Sequence, residues 1–245
     1  MNNFYSKNYW RVGFRSSLYD RLSPESYFES MRRVVAALPD GKSLNLLDAG
    51  CGSGLLLHFL AEHIREGMLY TGLDILKPGV EQALLRAEGL GIANRVSCFQ
   101  SDLTSTFPLD GQKFDVVVGH FSLYTLASSE KRQEALANMK AAMKPEGLLI
   151  LANPSVDYDA DSIIEESVRL VRDRHGFMAS LIRRCLIYPF TKTIGLRFIQ
   201  KQLRLGEWKA YTREELTEEM ERAGFVVQAI EDVYAGSAFL AIGHL

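Results

Sequence analysis

Between residues 44 and 153, short unbroken apolar runs alternate with longer stretches in which apolar positions recur every third or fourth residue. The short runs predict strands buried on both faces, and the longer spacing predicts helices that lay one apolar stripe on a sheet. The predicted strands are Leu44 to Ala49, Met68 to Leu73, Arg95 to Gln100, Phe114 to Gly119 and Leu148 to Ala152. Between them, helices are predicted over Leu55 to Arg65, Pro78 to Leu90 and Glu130 to Met143. Such alternation builds a parallel sheet with right-handed crossovers, so the expected class is α/β, doubly wound, with helices on both faces. Near the end, Thr212 and Glu215 have capping-box spacing and open a predicted helix, Arg213 to Ala223, that Gly224 terminates. Phe225 to Ile230 and Ala238 to Ile242 then close a seven-stranded, mainly parallel sheet.

Two segments stand outside this alternation. Residues 1–43 contain a predicted helix, Pro24 to Leu38, preceded by Phe4, Tyr5, Tyr9, Trp10, Phe14 and Tyr19. Residues 155–210, helical in pattern, are inserted before the last helix. In open α/β sheets ligands bind beyond the C-terminal strand ends, where such additions gather, so both segments are candidate lids over a substrate. Plain coverage of the core is the alternative. The organisation expected is a single domain over 1–245: an N-terminal helical lid (1–43), a ligand-binding core (44–154), the insertion (155–210) and a closing helix with two strands (211–245).

Composition changes this picture little: 47% hydrophobic and 24% charged residues are ordinary for a globular chain, and 245 residues suit one domain. A net charge of -2 supplies no overall attraction to nucleic acid. Cys51, Cys98 and Cys185 form neither a CxxC pair nor an even disulfide framework, which points to a reducing, cytoplasmic compartment. The start, MNNFYSKNYWRVGF, is aromatic and polar, and nowhere do eighteen apolar residues run together, so neither secretion nor a membrane span is expected. Locally, charge is uneven. From Arg169 to Lys209, ten Lys and Arg residues face only Asp173 and Glu207, interleaved with Phe177, Met178, Leu186 and Phe190. That mixture suits a hydrophobic or anionic acceptor, or peripheral membrane contact through 169–209; a solvated lid face is the alternative.

The densest chemical signal is Leu46-Leu47-Asp48-Ala49-Gly50-Cys51-Gly52-Ser53-Gly54, a strand running into a glycine-rich turn and then a helix. Glycine permits unusual dihedrals and lets backbone approach a ligand, and a helix start offers N–H groups to an anion. Twenty positions after Gly54, Asp74 ends the second strand, where a carboxylate can accept from both ribose hydroxyls. Asp102 follows the third strand, suited to an exocyclic amino group. Three strand ends thus converge on one nucleoside-like ligand. A dinucleotide fingerprint would read GxGxxG, whereas here the spacing is GxGxG and position 55 is Leu.

With these motifs the chain resembles the class I S-adenosylmethionine-dependent methyltransferases over residues 30–154 and 211–245. The resemblance implies that Asp48, Gly50 and Gly52 line the amino-acid end of S-adenosylmethionine, Asp74 its ribose and Asp102 its adenine. Their neighbours Cys51, Ile75 and Leu103, together with His120, complete the expected cofactor set. It also matches Phe114 to His120 to the family's fourth strand, residues 144–148 to the turn before the fifth, and Ala238 to Ile242 to its antiparallel last strand.

Because the sulfonium already activates the methyl group, the protein mainly has to align an acceptor in line with it. If a proton must leave the acceptor, His120 and Tyr124, just past the fourth strand, are the candidate catalytic residues. Each also has a bland reading: His120 packing beside the cofactor, Tyr124 forming pocket wall. An Asn-Pro-Pro-Tyr motif is absent after the fourth strand, which disfavours amino methylation of DNA, and Gly119-His120-Phe121-Ser122 offers no carboxylate and amide cluster, so no metal is expected. The expected activity is O- or C-methylation of a small hydrophobic or amphiphilic molecule, such as a natural-product phenol or a prenylated quinone. Alternatives are a cofactor-bound scaffold or RNA-binding subunit, and a nicotinamide oxidoreductase. Oligomeric state is open.

Overall fold

The structure is a computed structural model that describes residues 22–41 and 43–245. The aromatic residues from Phe4 to Tyr19 lie outside the described residues. Helix α1 (Glu25–Ala36) precedes β1 (Asn45–Ala49), α2 (Leu57–Glu66), β2 (Leu69–Asp74), α3 (Lys77–Gly89), β3 (Val96–Gln100), β4 (Phe114–His120), α4 (Ser129–Ala142) and β5 (Met143–Pro154). The strands form one sheet of seven, ordered β3-β2-β1-β4-β5-β7-β6, whose last members are β6 (Val226–Val233) and β7 (Ala238–His244). Strands β1 to β5 pair in parallel, while β7 runs antiparallel between β5 and β6. This is the α/β fold that the alternation predicts.

Adjacent strand residues feed two separate cores, as a sheet covered on both faces requires. Leu46, Val116, Val118 and Ile150 pack with Met31, Leu60 and Ile163, whereas Leu47, Val117, Leu149 and Leu151 pack with Leu136, Met139 and Met220. The third strand departs from the expectation of burial on both faces. β3 is the sheet's edge, and Phe99 on it is 41% exposed. Two other boundaries move for tertiary reasons. β5 begins at Met143, already paired with Phe114, and residues 144–147 bulge before pairing resumes at Leu148 opposite Val116. β6 runs to Val233 because β7 pairs with it as far as Ala238.

The 155–210 segment leaves the sheet edge and returns beside its exit: Ser155 bridges Tyr211, and the Tyr211 amide donates to the Pro154 carbonyl at 2.9 Å. It begins with α5 (Ala160–His175), whose N-terminus Asp159 caps by accepting from the Ser162 amide at 2.8 Å. A nearly continuous helical path follows. It comprises α6 (Phe177–Ile182), π-helical turns over Arg183–Ile187 and Thr191–Leu196, and α7 (Arg197–Arg204). Helix α1 holds this assembly to the core: the Ser26 amide donates to Ser167 Oγ at 3.0 Å. The Glu25 carboxylate, 3% exposed, accepts from Arg32 and Arg174 at 3.0 Å and from Arg183 at 3.4 Å. A carboxylate that buried needs such compensation. Helix α8 (Arg213–Arg222) closes the chain with the capping box between Thr212 and Glu215, and Gly224 follows it at φ 83°.

Candidate functional site

The sheet order reverses direction between β1 and β4, and in open α/β sheets that reversal opens a crevice at the C-terminal strand ends. A cavity of about 570 Å³ lies there. Its floor is the glycine turn after β1, which the sequence makes tight. Gly50 has φ 98°, and a Cβ on it would stand 2.3 Å from that of Ser122, so only glycine lets the β1 and β4 loops meet this closely. The Gly50 and Cys51 amides both donate to the Leu73 carbonyl, at 2.7 and 2.9 Å.

Asp74 does more than end β2. One carboxylate oxygen accepts the Gly52 amide at 2.9 Å and the other the Leu76 amide at 2.8 Å, so the side chain staples the glycine turn to the next loop. Each oxygen keeps a lone pair for a ligand. Burial pushes its pKa up. Asp48, 2% exposed, accepts from the Tyr70 hydroxyl at 2.7 Å, yet burial raises its pKa to about 7. Asp102 turns one oxygen inward, accepting the Thr104 amide at 2.9 Å and hydroxyl at 2.8 Å.

His120, at the end of β4, is 6% exposed and meets Ser30 Oγ through Nε2 at 2.8 Å. The Ser30 hydroxyl donates to the Tyr27 carbonyl at 2.8 Å, which assigns the Nε2 proton to the imidazole. Burial lowers the His120 pKa to about 3. Its ring stands edge-on to Phe121 at 4.8 Å and beside Tyr27 at 5.0 Å. Tyr124 is buried, edge-on to Trp208 at 5.3 Å.

The cavity brings together every residue singled out from the sequence: Asp48, Gly50, Cys51, Gly52, Asp74, Ile75, Asp102, Leu103, His120 and Tyr124 all line it. Sequence reasoning missed Leu76 and Ser122 in the glycine-loop half, and Tyr27, Phe121, Tyr158 and Tyr234 in the other. Phe121 and Ser122 were within reach as the two residues that follow His120; Tyr27 and Tyr234 carry no local signal, since distant segments deliver them. The insertion contributes Thr191, Ile194, Phe198 and Ile199.

One end of the cavity is polar and the other aromatic. At the polar end, the Ser122 hydroxyl is buried with no hydrogen-bond partner among the described residues. Such an orphan marks a place for a polar ligand. Two carboxylates whose pKa values burial has raised favour a ligand that brings positive charge. A nucleoside with a cationic amino-acid tail satisfies both conditions.

Comparison with known proteins agrees. A family model described as a methyltransferase domain matches residues 40–224. The ubiquinone biosynthesis O-methyltransferase of Rickettsia felis is 27% identical over 148 residues, 60% of this chain and 56% of that protein. Aklanonic acid methyltransferase DauC of a Streptomyces species is 32% identical over 111 residues, 45% of this chain and 50% of its own. The S-adenosyl-L-methionine-dependent Diels-Alderase iccD of Talaromyces variabilis is 30% identical over 136 residues, 53% and 44% of the two chains. The chain thus spans about half the length of the curated relatives it matches. A solved structure, a SAM-dependent methyltransferase from Aquifex aeolicus, superposes with a TM-score of 0.61 at 16% identity, covering 87% of this chain and 88% of that one, a likeness of fold.

Proposed function

The chain belongs to the class I S-adenosylmethionine-dependent methyltransferases, and from that premise we propose that it transfers the sulfonium methyl group to an oxygen or carbon of a small, apolar or amphiphilic acceptor. The observation that carries this reading is the single cavity joining a carboxylate-lined glycine turn to an aromatic chamber under the insertion. In this reading Asp48, Gly50, Cys51, Gly52 and Ser122 hold the methionine end, Asp74 and Ile75 the ribose, and Asp102 and Leu103 the adenine. S-adenosylmethionine, once bound, supplies an electrophilic methyl; the protein's own work is to orient the acceptor and exclude water.

His120 forms wall in this account. Moving a proton from a phenol, of pKa about 10, to an imidazole of pKa about 3 is uphill by roughly 10 kcal/mol. Its Nε2 proton is also engaged with Ser30, which leaves Nδ1 as the only ring nitrogen able to accept a proton. A phenolic acceptor therefore ionises to solvent or through another group before transfer, and Tyr124 shapes the chamber beside it. The relatives named for ubiquinone and aklanonic acid support an acceptor of apolar, ring-bearing type. The Diels-Alderase among the relatives makes transfer, not cofactor binding, the quantity to test. We expect incubation with methyl-labelled S-adenosylmethionine and a panel of prenylated phenols, hydroxyquinones and polyketide acids to yield labelled product and S-adenosylhomocysteine in equal amounts. Acceptor converted without label, with the cofactor recovered intact, would overturn methyl transfer.

A further inference from the structure

Met178, Ile182, Leu186, Phe190 and Ile194 recur every fourth residue along the insertion, and each is between 51% and 65% exposed. In an α-helix four residues overshoot a full turn by about 40°, so such a row would wind around the axis. The wider turns over Arg183–Ile187 and Thr191–Leu196 offset that drift, and the five side chains keep to one side of the path. The opposite side is spoken for: Tyr188 and Leu196 are buried, and Thr191 donates to the Leu22 carbonyl at 2.7 Å.

Beyond Ile194 the same side turns cationic. Arg197, Lys201 and Arg204 follow at spacings of three, four and three, one face of α7, all exposed; no salt bridge holds Arg197 or Lys201 among the described residues, and Arg204 acts at longer range on Asp159. No Asp or Glu occurs between Asp173 and Glu207. The apolar row also reaches the cavity, because Ile194 is at once exposed and part of its lining.

We propose that this face docks on a lipid bilayer bearing anionic headgroups, with Met178 to Phe190 in the interface, Arg197, Lys201 and Arg204 on the headgroups, and the cavity mouth at Ile194 opening toward the acyl region. The inference rests on the apolar-acceptor reading above, since its purpose is to deliver such an acceptor without passage through water. Interfacial helices bind by this combination of buried apolar area and headgroup attraction. A second copy of the chain or residues 1–21 are the other possible occupants, and the charge asymmetry favours lipid.

The test is sedimentation of the full chain with vesicles of phosphatidylcholine alone or of one part phosphatidylglycerol to two parts phosphatidylcholine, and maleimide labelling of the exposed Cys185, which lies beside Leu186. The expected result is binding to the mixed vesicles and little to the neutral ones. Leu186→Asp and Phe190→Asp should each weaken partitioning by about tenfold or more, as loss of a buried apolar side chain implies. Arg197→Glu with Lys201→Glu should do so only on anionic vesicles, and Cys185 should label quickly until those vesicles are added. Absence of sedimentation, or sedimentation indifferent to these variants, overturns the proposal. So does slow Cys185 labelling in the lipid-free monomer, which means the chain covers its own face, or a dimer that Leu186→Asp dissociates. Methylation of a water-soluble acceptor by Leu186→Asp separates the outcomes: unchanged turnover with lost vesicle binding supports docking, and vesicle binding by a wild-type protein that methylates nothing rejects only the acceptor reading.

Discussion

Burial holds the Asp48 carboxyl at a pKa where a cation bound beside it would shift its ionisation near neutral pH. Its pKa of about 7 reflects a carboxylate held away from water with one phenolic donor from Tyr70. A sulfonium placed nearby favours the ionised form, so cofactor binding below pH 7 must expel a proton. Affinity for S-adenosylmethionine should therefore strengthen as pH rises from 6 toward about 7 and level off above it. Calorimetric titration in buffers of different ionisation heat reads the proton directly. Asp48→Asn should abolish the slope, and S-adenosylhomocysteine, which lacks the sulfonium charge, should show a weaker one; an unchanged slope in the variant would reject this role for Asp48. For stability the signs are opposite at two residues. The raised pKa of Asp48 means stability present at low pH is lost as pH climbs toward 7, whereas His120, lowered to about 3, costs stability as pH falls from 6.5 toward 3. Gly50→Ala should cost binding as well as stability, because its Cβ has nowhere to go but into Ser122. At this scale the sequence was most informative where chemistry demands a residue type. The glycine spacing and the carboxylates at strand ends were legible, while the staple that Asp74 makes through Gly52 and Leu76 was not, since it depends on where two loops meet.

Elements are joined here by two charge clusters that answer different questions. Arg132 of α4 and Glu219 of α8 pair at 2.8 Å with both side chains under a tenth exposed, and the Tyr211 hydroxyl also donates to Glu219. Removing one partner strands a buried charge. Arg132→Ala should cost about 3–5 kcal/mol in chemical denaturation, while Arg132→Met with Glu219→Leu should recover most of it. Neither residue lines the cavity, so cofactor affinity in the folded protein should hold. The cluster on Glu25 instead ties α1 to the insertion through Arg174 and Arg183. Glu25→Ala should loosen that attachment: limited proteolysis should accelerate within residues 176–206, and the acceptor KM should rise with cofactor affinity little changed. Proteolysis unchanged from wild type would show that apolar packing alone seats the insertion. Among the elements, the helix opened by Thr212 and Glu215 was legible because a capping box is local. The edge position of β3 was not, because strand order is decided by the whole sheet. The first widened turn of the insertion, Arg183–Ile187, has a cause visible only afterwards: Pro189, just beyond it, lacks an amide hydrogen and crowds the preceding turn, which a regular α-helix does not absorb.

For the whole molecule, the order of strands matters more than their number. Reversal between β1 and β4 places the glycine turn, Asp74, Asp102 and His120 at one rim, and the inserted helices with α1 roof that rim. The α/β architecture could be read from the alternation of strand and helix patterns. The roof could be located but not assembled: Tyr27, Ile194 and Tyr234 reach the cavity from three distant stretches of chain, and no periodicity in one sequence links them. A ligand that binds only the folded state adds about 2.7 kcal/mol at a hundredfold excess over Kd, which for a chain of this size raises Tm by roughly 5–10 °C. Both S-adenosylmethionine and S-adenosylhomocysteine should give such a shift if the rim is their site. The most direct measurement is calorimetric titration of the protein with S-adenosylmethionine, its demethylated product and NAD in parallel. Saturable one-to-one binding of the first two with no heat from NAD is the predicted result; silence from both methionine-derived ligands, or a preference for NAD, would contradict the account.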